Sequence, residues 1–346
     1  KNWYIDPTTT RDSIRETNLN LRFFAQFQPF NREGAISLIG GGIGLENDGY
    51  YYFKPGDYIS GGGKKTSKKS FYIYGDAKGK WREYIAWDAH IQYFPIGYRS
   101  QDMSLGGNLA FGVSIGKRPV ALVLSAQFDT QSPSYWVKDF YSNHFQWNNN
   151  FNKEVRTSLE AKLLINSIHA EVGINQILST NSVYYNKESL PMQFDGALSV
   201  TSLYLKKNFV VGGLNLNHKL LLQTTSNDEV APVPLAAIDI QYFYRFNVVK
   251  DVLEMKMGFN GSYNTKYYGY GYNPAISQFY NQRDMEVGNY PMVDVFATGK
   301  WKRLRFIVKF QNVNFELFGG RNYFDVANYA LNRRMLKFGI SWSFYN

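Results

Sequence analysis

The sequence predicts an all-β chain folded as one transmembrane antiparallel β-barrel. Three observations carry that expectation. Apolar and polar side chains alternate with a period of two, and helical periodicity is nearly absent. Aromatic residues make up 17% of the 346 residues, as Tyr 27, Phe 26 and Trp 7. Short and long connections alternate along the chain. Mean hydropathy is −0.36, which by itself resembles a water-soluble chain, so the membrane reading rests on pattern.

The elements follow in order. Leu19–Phe27 is the first clear strand. Trp81–Tyr93 carries Trp81, Ile85, Trp87, Ala89, Ile91 and Tyr93 on one face, against Arg82, Tyr84, Asp88, His90 and Gln92. Val155–Ile165, Leu214–Gln223 and Leu253–Tyr263 alternate likewise. In Ile238–Phe246 the even positions are apolar, against Asp239, Gln241, Phe243 and Arg245. Leu304, Phe306, Val308 and Phe310 oppose Arg305, Ile307, Lys309 and Gln311. The last strand, Leu336–Tyr345, sets Phe338, Ile340, Trp342 and Phe344 against Gly339, Ser341 and Ser343. That is the form of closing strand the barrel-assembly machinery reads, although the chain ends on Asn346 and not on an aromatic.

A soluble sandwich also alternates, but its strands average about 5 or 6 residues. These read as about 10 to 13, the length of a tilted membrane crossing. Aromatics mark the ends of the apolar faces at Trp81, Tyr93, Tyr263 and Trp301, where interfacial girdles lie. Tight turns are expected near Ala77–Gly79, Gly116–Pro119, Asn166–Ser167, Lys206–Asn208, Val249–Lys250 and Gly299–Lys302. Long connections are expected at Asn47–Lys68, Thr130–Ser142, Ser179–Met192, Thr225–Pro234, Asn264–Pro291 and Phe315–Arg333. Outer-membrane barrels place short turns in the periplasm and long loops outside. The pattern gives about 15 strands, within a range of about 14 to 18, and single-chain bacterial barrels are normally even-numbered. With a periplasmic end to the last strand, Leu19–Phe27 runs inward from outside. The expectation is one barrel domain over 1–346 with about 16 strands, either as the later part of a longer chain or with one strand hidden from the pattern.

Composition narrows the function classes. No cysteine is present, so disulfides and thiolate metal sites are excluded. No run approaches the roughly 18 to 20 apolar residues of a spanning helix. The formal charge of +10 is scattered, with Lys64, Lys65, Lys68 and Lys69 the main cluster. A nucleic-acid binder more often concentrates its bases on one element. His90, His144, His169 and His218 show no metal-ligand spacing. His90 and Asp88 share the polar face, read here as a lumen pair and not as catalytic groups. Gly40-Gly41-Gly42-Ile43-Gly44 lacks the Lys-Ser/Thr ending and helix of a phosphate loop, and serves curvature or a close approach instead. Gly61–Lys65 reads as a flexible surface loop. No enzyme activity, cofactor or metal is expected.

Phe140–Lys153 (FYSNHFQWNNNFNK), Tyr272–Phe296 (YNPAISQFYNQRDMEVGNYPMVDVF), Arg303–Asn314 and Leu336–Asn346 together resemble a porin family of Bacteroidetes, predicted outer-membrane barrels. The likeness runs from about Phe140 to the end. It implies an outer-membrane location and a pore, and brings no catalytic residues. Arg22, Arg82, Asp88, His90, Arg156, Lys162, Lys219, Asp239, Arg245, Lys256, Arg305 and Lys309 are the expected lumen-lining residues. With Lys337 the inward bases outnumber the inward acids, Asp88, Glu160, Glu171, Asp239, Glu254 and Asp294, which favours anions unless the charges pair across strands. The expected function is passive diffusion of small polar or anionic solutes, with inward-folded loops forming a constriction. Tyr-rich Asn264–Pro291 is the candidate for that role. The alternative is a structural or accessory subunit of a larger outer-membrane assembly, with Tyr50–Phe53 and Phe140–Phe151 as partner surfaces. Expected partners are lipid, the assembly machinery, and other outer-membrane proteins or a second copy.

Overall fold

The structure, a computed structural model, describes all residues except 1, 2, 5, 6, 9, 11, 29–33, 53–64, 83, 117, 318–322, 345 and 346. Fifteen strands form one antiparallel sheet in which each pairs with its neighbours in chain order. They are β1 (Ile14–Phe27), β2 (Leu38–Tyr52), β3 (Lys65–Trp81), β4 (Ile85–Gly97) and β5 (Met103–Ile115). There follow β6 (Arg118–Gln131), β7 (Glu154–Ile165), β8 (Ala170–Tyr185), β9 (Pro191–Val211) and β10 (Leu214–Thr225). The sheet ends with β11 (Ala236–Val249), β12 (Leu253–Asn264), β13 (Met292–Trp301), β14 (Leu304–Gln311) and β15 (Met335–Trp342). Among the described residues, no register joins β1 to β15.

Alternation assigns the two faces. Leu19, Leu21 and Phe23 of β1 share a face with Ile43 and Leu45 of β2, and the same parity continues through Ile91, Leu105, Leu159, Ile174, Leu205 and Ile238 to Val308 and Phe338. These side chains stand in the open: Phe23 is 69% exposed, Leu45 53% and Phe338 81%. Water-soluble monomers rarely leave more than a few hundred Å² of contiguous apolar surface. An apolar face running across the whole sheet is stable only against hydrocarbon. No helix is long and apolar enough to cross a membrane, so the strands make the crossing.

Turn positions show where alternation misleads. Trp81–Tyr93 is not one strand: Trp81 closes β3, Arg82 and Tyr84 lie in a turn, and Ile85 opens β4. Arg82 sits in that turn with φ +55°, so it is not a wall residue. Trp81 and Ile85 pair and share a parity, so the alternation passes from β3 to β4 unbroken. Ala77–Gly79 lies inside β3, where a Cβ on Gly79 would meet the Ala35 carbonyl oxygen at 1.8 Å; the glycine serves close approach and not a turn. Lys206–Asn208 likewise lies inside β9, and the reversal falls at Gly212, whose φ is +57°. Gly299 is in β13, with the turn at Lys302–Arg303.

Strands run from 8 residues in β14 and β15 to 21 in β9, a wider range than expected. Asn47–Tyr52, Lys65–Lys68 and Ser179–Tyr185, expected in loops, extend β2, β3 and β8. Those extensions carry polar residues on both faces, because beyond the hydrocarbon neither face needs to be apolar. β1 starts at Ile14, five residues before the alternation becomes clear. The closing strand is shorter than expected, Met335–Trp342. Phe344 lies past its end, stacked on Trp342 at 5.7 Å, and Tyr345 falls outside the described residues, as do Phe53 and Gly61–Lys64.

Candidate functional site

The second face of the sheet is polar, and it holds nearly all of the expected lining residues. In β1, Arg22 donates Nε–H to the Tyr72 hydroxyl at 2.7 Å. Asp88 of β4 accepts from Asn108 at 2.9 Å and lies opposite Lys78, while His90 lies opposite Asp76 and Gly106. Arg156 of β7 lies opposite Asp129, and Lys162 stands 3.6 Å from Glu160. Lys219 and Asp239 face each other across β10 and β11. Arg245 lies opposite Lys256, which is 4.0 Å from Glu254, and Lys309 meets Asp294 at 2.6 Å. Arg305 lies opposite Lys300. Only Arg82 departs from the set.

The register adds charges that the sequence reading left out. Glu16, Glu46, Asp48, Asp76, Asp129 and Glu154 share the polar face, as do Lys68, Lys78, Lys80, Lys206 and Lys300. These acids nearly offset the bases over the whole wall, which corrects the expected excess of positive charge. The two signs are unevenly placed: the added acids stand on β1–β7, while Arg245, Lys256, Lys300, Arg305, Lys309 and Lys337 gather on β11–β15.

Glycines Gly40, Gly42 and Gly44 belong to this face; Gly40 leaves space for the Asp76 carboxylate, and Gly42 and Gly44 make room for the rings of Tyr74 and Tyr72. A Cβ on Gly44 would lie 2.1 Å from Cζ of Tyr72, so the ring rests on bare backbone. Tyr72 is fully buried there, donates to Asn20 at 2.7 Å and accepts from Arg22. Tyr204 lies over Gly173 in the same way and donates to Glu160 at 2.8 Å, bridging β9 to β7 across β8.

The connection 132–153 between β6 and β7 folds back across the polar face to β1 and β2. It holds a single-turn helix, α1 (Tyr135–Lys138), and a small hairpin, Asp139–Tyr141 with Gln146–Asn148. Tyr135 stacks on Tyr50 at 4.2 Å, Trp136 meets Tyr50 and Tyr52 edge-on, and Tyr141 packs on Tyr52. The Tyr52 hydroxyl donates to the Asp139 carbonyl at 2.7 Å, and Trp136 Nε1–H donates to Glu16 at 2.9 Å. Burial first, then the hydrogen bond to Asp139, pushes the Tyr135 hydroxyl up to about 12. Tyr50 and Tyr52 are therefore seats for this loop and not an exposed partner surface, and Phe140, 5% exposed, is packed within the segment. The sequence held one signal for it: aromatics at Tyr50 and Tyr52 on the polar parity, where a water-facing wall has no use for them.

Both feet of the loop meet one buried carboxylate. Asp102, in the turn after β4, is 1% exposed. It accepts from Ser132 N at 2.9 Å and Oγ at 2.8 Å, from Lys153 Nζ at 2.8 Å and from Arg99 Nε at 3.0 Å. Arg99 also donates to Glu46 at 3.0 Å and lies 4.1 Å from the centre of the Phe94 ring. Burial alone would lower the Arg99 guanidinium, but Asp102 and Glu46 hold it above its ordinary value. Lys138 in α1 is lowered, by burial first and then by Lys153 and Lys68 despite Asp102.

The Tyr-rich connection 265–291 does not cross the wall in this way. Tyr272 packs on Phe279 and Tyr329, Asn281 donates to the Glu229 and Val230 carbonyls, and Arg283 pairs with Asp228 at 2.7 Å. It braces neighbouring loops at their shared rim. His144 bonds Thr10 at 2.8 Å in the rim, and His218, on the apolar face, bonds the Tyr242 hydroxyl at 2.6 Å. Among the described residues no group of three His, Cys, Asp or Glu is placed to hold a metal.

An apolar face open to hydrocarbon, a polar face behind it and long loops at one rim define an outer-membrane β-barrel protein. The family described as "Putative porin" matches residues 2–346, and the chain belongs to it. Among curated protein sequences, none matches. Solved structures with a similar fold include the copper transporter OprC, with TM-score 0.68 at 11% identity, covering 96% of this chain and 57% of that one. The ferric enterobactin receptor PfeA of Pseudomonas aeruginosa gives TM-score 0.67 at 10% identity, covering 94% and 54%. The siderophore receptor PirA of Acinetobacter baumannii gives 0.64 at 11%, covering 96% and 55%. The chain thus spans little more than half the length of these structures, and the likeness is one of fold.

Proposed function

We propose that the chain is a passive channel for small polar solutes, narrowed towards its long-loop rim by segment 132–153. The observation that carries this reading is the polar cavity along β8–β14. It has a volume of about 610 Å³ and is lined by Glu171, Lys206, Lys219, Asp239, Asn260, Asp294 and Lys309 among others. Such a surface is stable in water and hostile to lipid, the reverse of the opposite face. Loops folded onto it set the bore. The near balance of charge predicts weak overall ion selectivity, with local basic and acidic stretches. The partners this reading requires are lipid on the apolar face and the machinery that reads β15 during assembly.

A structural role in a larger outer-membrane assembly is the second reading. It is favoured by the same loop, whose aromatic seat covers the rim end of the polar face of β1 and β2 at Tyr50 and Tyr52. Single-channel recording of the purified protein in planar bilayers separates the two. Stepwise conductance that scales with bulk salt supports passage. Silence at every protein concentration, from protein shown to be folded, refutes it.

A further inference from the structure

We propose that the short-turn end of the polar face holds a binding site for a small tetrahedral oxyanion, between β12 and β15. It rests on the polar face being open to water, as the passage reading requires. A cavity of about 570 Å³ there is lined by six polar residues, Glu254, Lys256, Thr298, Lys300, Arg305 and Ser341, together with Gly299, Phe306, Ile307, Gly339 and Ile340. All six share the polar parity. Glu254 lies opposite Lys300, Lys256 opposite Thr298, Lys300 opposite Arg305, and Arg305 opposite Ser341.

Two features point to an anion. Lys300 and Arg305 are like charges directly across a ladder, an arrangement that destabilises a sheet unless something offsets it. The one carboxylate among the lining residues, Glu254, stands 4.0 Å from Lys256, and among the described residues neither Lys300 nor Arg305 has an ion-pair partner. Some bases on this face do find acids, as Lys309 does with Asp294 at 2.6 Å and Lys206 with Glu171 at 2.9 Å. Among the described residues Lys219 has no ion pair either, but the cavity it lines holds the three carboxylates Glu171, Asp239 and Asp294, against Glu254 alone here. The donor set also suits the ligand. A guanidinium fork, two ammonium groups and the hydroxyls of Thr298 and Ser341 can meet several oxygens of one anion, and charge-assisted bonds to oxyanions are the strong ones. Carboxylates and chloride present fewer oxygens or none, so phosphate and sulfate are the preferred guests.

The test is equilibrium binding of inorganic phosphate to the whole folded protein in detergent, by titration calorimetry. Conduction plays no part in this readout, so a silent channel that binds phosphate refutes passage and keeps the site. We expect saturable binding that K300Q/R305Q weakens about tenfold or more. The distant double variant K187Q/K266Q, with the same loss of charge at the long-loop rim, should bind as wild type. Should K300Q/R305Q not fold, Arg305→Lys reads the same site. It keeps the charge but loses the fork, and should weaken binding about threefold. Wild-type affinity in the site variants overturns the proposal. So does an equal loss in both double variants, which would be nonspecific attraction, and so does a titration showing no saturable binding.

Discussion

Replacing Asp102 with alanine should loosen segment 132–153 without dissolving the sheet. The carboxylate holds Ser132 at one foot of the loop and Lys153 at the other, and it also orients Arg99. Removing one partner of a buried ionic network typically costs about 3 to 5 kcal/mol, because the remaining charge is stranded. Here the cost should fall near 2 to 3 kcal/mol. Arg99 keeps Glu46 at 3.0 Å, and both Arg99 and Lys153 are 30% exposed, so they reach water with small movements. The aromatic seat on Tyr50 and Tyr52 remains, so the loop detaches at its feet first. The expected readouts are faster proteolysis within 132–153, noisier and larger single-channel steps, and a lower urea midpoint. Asp102→Asn should fall between, since its carbonyl oxygen can still accept from Ser132. Wild-type proteolysis and conductance in Asp102→Ala would show that the aromatic cluster alone holds the loop, and the clamp argument would fail.

Deleting 135–148 with a short Gly-Ser bridge should raise unitary conductance; an unchanged value would place the constriction elsewhere. Val308→Asp, on the apolar face, should impair folding into lipid by roughly 2 kcal/mol, given that Arg or Lys at the midplane costs about 2 to 4 and Asp somewhat less. Ile307→Asp, on the polar face beside it, should be far milder, and equal effects measured by heat-modifiable gel mobility would contradict the register. Gly44→Val should cost about 2 kcal/mol or more, because its Cβ would meet Tyr72 Cζ at 2.1 Å and expel a buried ring from Asn20 and Arg22. Tyr72→Phe, which keeps the ring and loses the hydroxyl, should cost only about 1 kcal/mol in urea unfolding.

The wall was legible in the sequence wherever lipid touches it, and obscure wherever water lies on both sides. Hydrocarbon demands an apolar residue at every second position, so Leu304–Phe310 and Ile238–Phe246 declare their parity without help. The extensions at Asn47–Tyr52 and Ser179–Tyr185 are free of that demand, and they read as loops although their ladders continue. Several of the missed polar-face charges follow from this. Glu46, Asp48, Lys68, Asp129 and Glu154 sit in the parts of strands next to the long-loop rim, where a charge carries no parity signal. Lys206 was missed for a different reason, since its neighbours Lys207 and Asn208 imitate a turn inside β9. The loop across the polar face was harder still. Its position depends on Asp102 meeting Ser132 and Lys153, 30 and 51 residues away in sequence, and no local pattern encodes a contact of that separation. What the local pattern did hold was the misfit: Tyr50 and Tyr52 on the water-facing parity, and a run of glycines at Gly40, Gly42 and Gly44 on the same strand. Large rings where water should be, beside missing side chains where a wall should be, indicate that something folds onto that face from elsewhere in the chain.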